Sequence, residues 1–153
     1  MRVTKKQRVD LFAGVWLFEH CSQRELSVLQ EAASEMELTA GKVLTKQGEL
    51  GRHFMVIVEG QVEVIRDGTK IAMLGPGSFF GEMSLLDGQP RTATATTVEP
   101  TRVLMLTTAA FNEVLATMPS VDRKLLAVLA GRLREIEERY VPLNERGAST
   151  EIG

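Results

Sequence analysis

The spacing of apolar and polar residues divides the chain into three zones, and the first of them is typical of helices. Within residues 1–35, the apolar positions recur at helical intervals, at Val9, Leu11, Phe12 and Trp16. Further along, Ser22 and Glu25 have the three-residue spacing of a capping box, in which each side chain satisfies an unpaired amide at a helix start. The pattern predicts an N-terminal helical segment over residues 1–35.

The middle zone, residues 36–107, is typical of strands. Short apolar or alternating runs end at turn residues such as Asp67-Gly68, a hairpin signal, and Gly75-Pro76-Gly77. Strands do not alternate with helices here, so a doubly wound parallel sheet is disfavoured. Many short strands with regular turns predict an antiparallel β jelly-roll barrel, and with the flanking helices an α+β fold.

The third zone, residues 108–141, is helical again, and residues 142–153 read as a flexible tail of the same single domain. Ser120 follows Pro119 and is a candidate N-cap for a long helix to about Val141. Along that helix an apolar stripe is spaced three, four, three and four residues apart, at Leu126, Leu129, Leu133, Ile136 and Tyr140. The spacing predicts a homodimer seam, with packing of the stripe on the chain's own barrel as the alternative.

Composition narrows the function classes. The chain has 153 residues, 44% hydrophobic content and a formal net charge of -2, which suits one compact domain and disfavours a nucleic-acid binder. Its one cysteine, Cys21, cannot form an internal disulfide. No apolar run approaches the roughly 20 residues that span a bilayer, and no signal peptide is apparent. We therefore expect a soluble cytoplasmic protein with no membrane partner.

One segment, residues 80–94, interrupts the strand pattern and carries the candidate chemistry. It opens at Gly81, allows about one turn of helix and re-enters a strand at Arg91. Free amides at a helix start, beside an arginine, suit one compact anion. Glu82 does not attract phosphate, but it could accept a hydrogen bond from a sugar hydroxyl. Phosphate and ribose together indicate a nucleotide. The alternatives are a surface ion pair between Glu82 and Arg91, and ordinary turn glycines.

Residues 80–94 resemble the phosphate-binding cassette of the cyclic nucleotide-binding domain family. The shared pattern is Phe-Gly-Glu, two small or apolar residues, Leu-Leu, a short turn and then Arg-Thr-Ala-Thr, here ending at Thr94. The resemblance covers about Leu17 to Tyr140 and includes further barrel turns, at Ala40 to Leu44, Gln47 to Glu49, Val58 to Gly60 and Gly75 to Phe79. It implies a jelly roll closed by a C-terminal lid helix, without a DNA-binding module.

The resemblance also implies roles for particular residues. Arg91 would hold the cyclic phosphate, Glu82 the ribose 2′-hydroxyl, and the backbone of Gly81, Met83 and Ser84 would line the sugar-phosphate. Thr92 would permit cGMP without requiring it. Apolar groups would lie under the base at Val64, Ala72 and Leu74, and lid contacts would come from Arg132 and Ile136.

The resulting expectation is a regulatory sensor that binds cAMP rather than cGMP and signals to an effector by closing its last helix. The main alternative is an interaction module of the same fold that nucleotide does not regulate. A metal-dependent cupin enzyme would need clustered ligands, which His20 and His53 do not supply, so no metal or cofactor is expected. A transcription factor is disfavoured, because about a dozen residues remain after the long helix for a DNA-binding motif.

Overall fold

The computed structural model describes residues 3–139, over which four α-helices and eight strands follow one another. The helices are α1 (Lys5–Ala13), α2 (Gln23–Glu31), α3 (Thr108–Thr117) and α4 (Pro119–Arg139). The strands are β1 (Ser34–Leu38), β2 (Val43–Thr45), β3 (His53–Glu59), β4 (Val62–Arg66), β5 (Thr69–Leu74), β6 (Phe79–Phe80), β7 (Thr94–Thr97) and β8 (Thr101–Thr107). Two short 3₁₀ helices lie at Trp16–Phe18 and Glu82–Leu85.

The strands form two four-stranded antiparallel sheets. Their orders are β1-β8-β3-β6 and β2-β7-β4-β5, so strands adjacent in sequence mostly lie in different sheets, as a jelly roll requires. This confirms the predicted α+β jelly roll. The two sheets pack face to face as layers, however, and the described strands do not close into one continuous barrel.

Strand β3 separates two hydrophobic cores. Phe54 and Val56 point to a core beneath the helices, whereas Met55 and Ile57 point to a core between the sheets. The alternation follows from the two-residue period of side chains along a strand. Because both faces are covered, the strand reads as an unbroken apolar run in the sequence.

Local motifs explain most element boundaries. Ser22 and Glu25 form the predicted capping box at the start of α2. Asp67 and Gly68 adopt left-handed φ values of 51° and 78°, which fits the tight β4–β5 hairpin predicted there. The prediction that Ser120 caps α4 is wrong, because the helix begins one residue earlier at Pro119. Proline suits a first helical position, where its missing N–H leaves no bond unmade.

Helix α4 is anchored over its first half and exposed over its second. Val121, Leu125 and Val128 are buried. The Lys124 ammonium lies 2.5 Å from the Glu25 carboxylate and ties α4 to α2. Farther along, Leu133 is 61% exposed. No helix of the described part of the chain is both long and apolar enough to cross a bilayer.

Candidate functional site

The segment from Phe80 to Thr94 begins with a backbone conformation that glycine adopts readily. Gly81 has φ of +83° and joins β6 to the 3₁₀ helix Glu82–Leu85. A Cβ atom at this position would lie 2.5 Å from the carbonyl oxygen of His53. Glycine therefore provides both the left-handed turn and the close approach of the segment to β3.

Arg91 is half-buried, and both its side chain and its main chain bond to backbone groups. The guanidinium donates a hydrogen bond to the His53 carbonyl. The Arg91 amide donates to the Glu49 carbonyl over 2.7 Å, and the Gly48 amide donates to the Arg91 carbonyl over 2.8 Å. Burial lowers the pKa of Arg91, and the nearby Glu82 charge opposes this shift. The guanidinium is thus a preorganised, partly desolvated cation.

A cavity of about 250 Å³ lies against Arg91, between β4, β5 and the segment that follows β6. Six of the residues predicted from the sequence line this cavity, namely Gly81, Arg91, Thr92, Val64, Ala72 and Leu74. The wall is completed by Thr45, Arg66, Ile71, Phe80, Ala93 and Ala95. The wall therefore carries two arginines and the Gly81 backbone, and the remainder is mostly apolar. This arrangement can hold an anionic head group with a flat apolar body.

Glu82 follows Gly81 in the chain but does not line the cavity, and its carboxylate is directed toward the N-terminal helical layer. The indole N–H of Trp16 donates a hydrogen bond of 2.7 Å to Glu82 Oε2. Among the ion pairs of the described residues, none within 4.0 Å joins Glu82 to Arg91. The alternative of a surface ion pair between the two is therefore wrong.

Met83 and Ser84 do not line the cavity. The Ser84 amide donates to the Gly81 carbonyl over 3.1 Å, and its hydroxyl donates to the same carbonyl over 2.6 Å. The hydroxyl also lies 3.3 Å from the His53 carbonyl of β3, so both Ser84 donors are used by the protein's own backbone. Met83 is 45% exposed. Of the three predicted backbone contacts to a sugar-phosphate, this structure places only Gly81 at the cavity wall.

The predicted lid residues lie away from the cavity. The Arg132 guanidinium carbon is 4.2 Å from the centroid of the Trp16 ring, a cation–π contact on the helical side of the molecule. Ile136 is 47% exposed. Neither side chain lines the cavity in this structure. A contact between them and a base would require α4 to move.

Two residues at the site were not identified as site residues from the sequence. Arg66 lines the cavity, and its guanidinium donates to the Thr92 carbonyl over 3.2 Å and to the Thr92 hydroxyl over 3.4 Å. Its position two residues after Val64 could have indicated this, because alternate residues of a strand share a face. Trp16 was assigned only to an apolar helix face, and no local pattern links it to Glu82.

The fold and the site together define a ligand-binding module of the jelly-roll class, and comparison with known proteins identifies the family. The profile described as "Cyclic nucleotide-binding domain" matches residues 35–118. The "Cyclic AMP receptor protein" of Thermus thermophilus is 39% identical over 129 residues, which are 81% of this chain and 60% of that protein. The "CRP-like cAMP-activated global transcriptional regulator" of Mycobacterium tuberculosis is 28% identical over 139 residues, covering 88% and 62%.

A solved structure agrees with this match. The N-terminal domain of a transcriptional regulator from Streptomyces coelicolor A3(2) superimposes with a TM-score of 0.78 at 32% identity, covering 84% of this chain and 96% of that one. The chain belongs to the cyclic nucleotide-binding domain family, and the relatives compared above are regulators rather than enzymes. It spans about three fifths of the length of the two curated relatives.

Proposed function

We propose that this domain binds cAMP in the cavity beside Arg91, with the cyclic phosphate on the guanidinium and on the Gly81 backbone. The observation that carries the proposal is the half-buried Arg91 guanidinium in the wall of a largely apolar cavity. Val64, Ala72 and Leu74 offer the purine an apolar wall. Glu82, in the turn that follows Gly81, accepts a hydrogen bond from the ribose 2′-hydroxyl through an oxygen lone pair that Trp16 leaves free.

The preference for cAMP over cGMP has two supports. Two similar proteins are named for cAMP, and we extend that ligand to this chain as a proposal. In addition, the Thr92 hydroxyl oxygen already accepts a hydrogen bond from Arg66. A guanine amino group would have to use the second lone pair of that oxygen, beside the positive charge of Arg66, and the repulsion between two donors at one acceptor weakens any contact that favours cGMP.

We further propose that α4 carries the signal, both as a lid and as a dimer seam. Leu126 and Leu133 are 62% and 61% exposed, so these two members of the apolar stripe do not pack on the chain's own barrel, whereas Leu129 packs partly against the core. A second copy of α4 would cover the exposed members. Closing of α4 over the purine would bring Arg132 and Ile136 to the cavity. Tyr140, the last predicted seam residue, lies outside the described residues.

The proposed setting is the cytoplasm, and Cys21 suits it. Burial, together with the nearby Glu25 charge, raises the pKa of the Cys21 thiol to about 11. A thiol that stays protonated is a poor nucleophile and a poor partner for disulfide exchange, which suits a side chain without a disulfide role.

The deciding experiment is calorimetric titration of the parent, Arg91→Ala and the exposed control Arg24→Ala with cAMP, cGMP and AMP. Loss of a charge-assisted contact predicts that Arg91→Ala weakens cAMP binding by about 2–5 kcal/mol. Arg24→Ala should bind cAMP like the parent. Equal affinity of the parent and Arg91→Ala for cAMP would remove the assignment of this cavity. Binding of AMP as tight as that of cAMP would remove the preference for a cyclic phosphate.

A second ligand separates the role of Glu82 from that of Arg91. If Glu82 accepts a hydrogen bond from the ribose, 2′-deoxy-cAMP should bind the parent more weakly than cAMP. Glu82→Gln should reduce that difference, since an amide oxygen is a weaker acceptor than a carboxylate. A parent that binds both ligands equally would show that Glu82 does not contact the 2′-hydroxyl.

A further inference from the structure

Trp16 connects two parts of the molecule that are distant in sequence. It is the one tryptophan of the chain and begins the 3₁₀ helix Trp16–Phe18 in the N-terminal helical layer. Its indole N–H donates to Glu82 Oε2 over 2.7 Å across a separation of 66 residues. A hydrogen bond to a carboxylate is stronger than one between neutral groups. The hydrogen bond from Trp16 therefore orients the Glu82 side chain, which otherwise has three free torsions.

Glu82 needs such a restraint because Arg91 lies in the same segment. The Glu82 charge acts on the Arg91 pKa, so the two groups lie within electrostatic range of each other. A direct ion pair would neutralise the cation proposed for the phosphate and occupy the carboxylate proposed for the ribose. Each charged side chain instead has its own hydrogen-bond partner, because Arg91 donates to the His53 carbonyl and Glu82 accepts from Trp16.

We propose that Trp16 is a positioning residue for the binding site, which holds the Glu82 carboxylate clear of Arg91 and available to the ribose. This inference rests on the proposed roles of Glu82 and Arg91. The indole N–H uses one lone pair of one carboxylate oxygen, and the remaining lone pairs stay free to accept from a hydroxyl.

The indole is itself held by the last helix. Arg132 of α4 covers its ring at 4.2 Å, and the ring packs against the core beneath the helices. Trp16 therefore lies between α4 and the 3₁₀ helix that carries Glu82. Its position, and with it that of the ribose carboxylate, depends on where α4 lies.

The test is a double-mutant cycle measured by calorimetry with cAMP. Trp16→Phe removes the N–H donor and keeps an aromatic ring, and Glu82→Ala removes the acceptor. We expect Trp16→Phe to weaken cAMP binding about tenfold in the parent and by less than about twofold in the Glu82→Ala background, which fits the worth of one hydrogen bond to a charged group. A role in packing alone would give the same loss in both backgrounds and would overturn the proposal.

Two further outcomes also overturn it. Unchanged affinity of Trp16→Phe shows that Glu82 needs no holder, and increased affinity shows that Trp16 competes with the nucleotide for Glu82. A parent that binds neither cAMP nor cGMP refutes the proposed function itself, which separates that failure from a failure of Trp16 alone.

An NMR measurement tests the contact without any change at Trp16. A ¹⁵N-labelled chain has a single indole N–H signal, because it has one tryptophan. Glu82→Ala should shift that signal upfield, whereas the control Glu19→Ala, an exposed glutamate close to Trp16 in sequence, should leave it in place. An indole N–H chemical shift that does not change in Glu82→Ala overturns the proposal, whatever the measured cAMP affinities are.

Discussion

Replacing Gly51 with alanine should displace Arg91 without altering the charge of the site. Gly51 lies beside the arginine side chain, and an added Cβ would lie 2.5 Å from Arg91 Nε and 2.8 Å from Cζ. Its φ lies outside the left-handed region, so alanine strains no backbone torsion there. The groups in its way belong to a flexible side chain, which can retreat.

The size of the effect follows from these distances. Ordinary contacts between heavy atoms begin near 3.5 Å, so the guanidinium has to move by about 1 Å. A charge-assisted hydrogen bond of about 2.8 Å would then exceed the usual range of such bonds. Losing one bond of about 1.5–3 kcal/mol predicts that cAMP binds about 10- to 100-fold more weakly. Stability should fall by at most about 1.5–3 kcal/mol, the worth of the charge-assisted bond from Arg91 to the His53 carbonyl.

Titration calorimetry with cAMP, together with thermal unfolding, measures both quantities. Gly14→Ala is the matched control, because it adds the same methyl group at φ of -78° with its nearest contact at 3.5 Å. The control should bind like the parent. The reasoning fails if Gly51→Ala binds cAMP with parental affinity. It also fails if the loss of affinity comes with a collapse of the fold.

Three other predictions concern the last helix, the pH dependence of stability and the choice of base. Leu133→Glu should convert a dimeric parent into a folded monomer by light scattering; a parent that is monomeric with and without cAMP rules out the seam. Burial alone would raise the pKa of Glu25, but hydrogen bonds from Lys124 and from the serines around it bring that pKa down to about 2 from 4.5. Because the folded pKa is depressed, the stabilisation should be complete above about pH 5 and decline by at most about 3 kcal/mol as the pH falls toward 2. Between pH 6 and pH 3, the measured free energy of unfolding should therefore fall less in Glu25→Gln than in the parent, and an equal fall in both contradicts this role. Arg66→Ala removes the competing donor and its positive charge from beside the Thr92 hydroxyl, so it should raise cGMP affinity relative to cAMP about threefold in competition binding; an unchanged ratio shows that Arg66 does not influence base choice.

Sequence patterns predicted those features that depend on near neighbours. The capping box at Ser22 and the hairpin at Asp67-Gly68 need only residues one to three positions apart, and both formed as predicted. The cavity wall at Val64, Ala72 and Leu74 was predicted from the family resemblance and not from residue spacing, and all three line the cavity.

Features that depend on tertiary packing could not be predicted from the sequence. No pattern in the sequence predicts that Trp16, 66 residues away, donates a hydrogen bond to Glu82. Likewise, the backbone amide of Ser84 could face a ligand or its own turn, and in the folded chain it donates to the Gly81 carbonyl within the buried 3₁₀ turn. The prediction that Ser120 caps α4 failed because Pro119 can itself begin a helix.

The division of α4 into an anchored and an exposed half gives the helix the properties of a lever. Its fulcrum lies near Val128, the last buried residue, and Arg139 follows eleven residues later. That arm is about 16 Å long at 1.5 Å per residue. A tilt of about 10° at the fulcrum would carry its tip through roughly 3 Å, about half a helical turn. Small adjustments beside Trp16, which lies under this arm, would therefore be amplified at the far end of the helix.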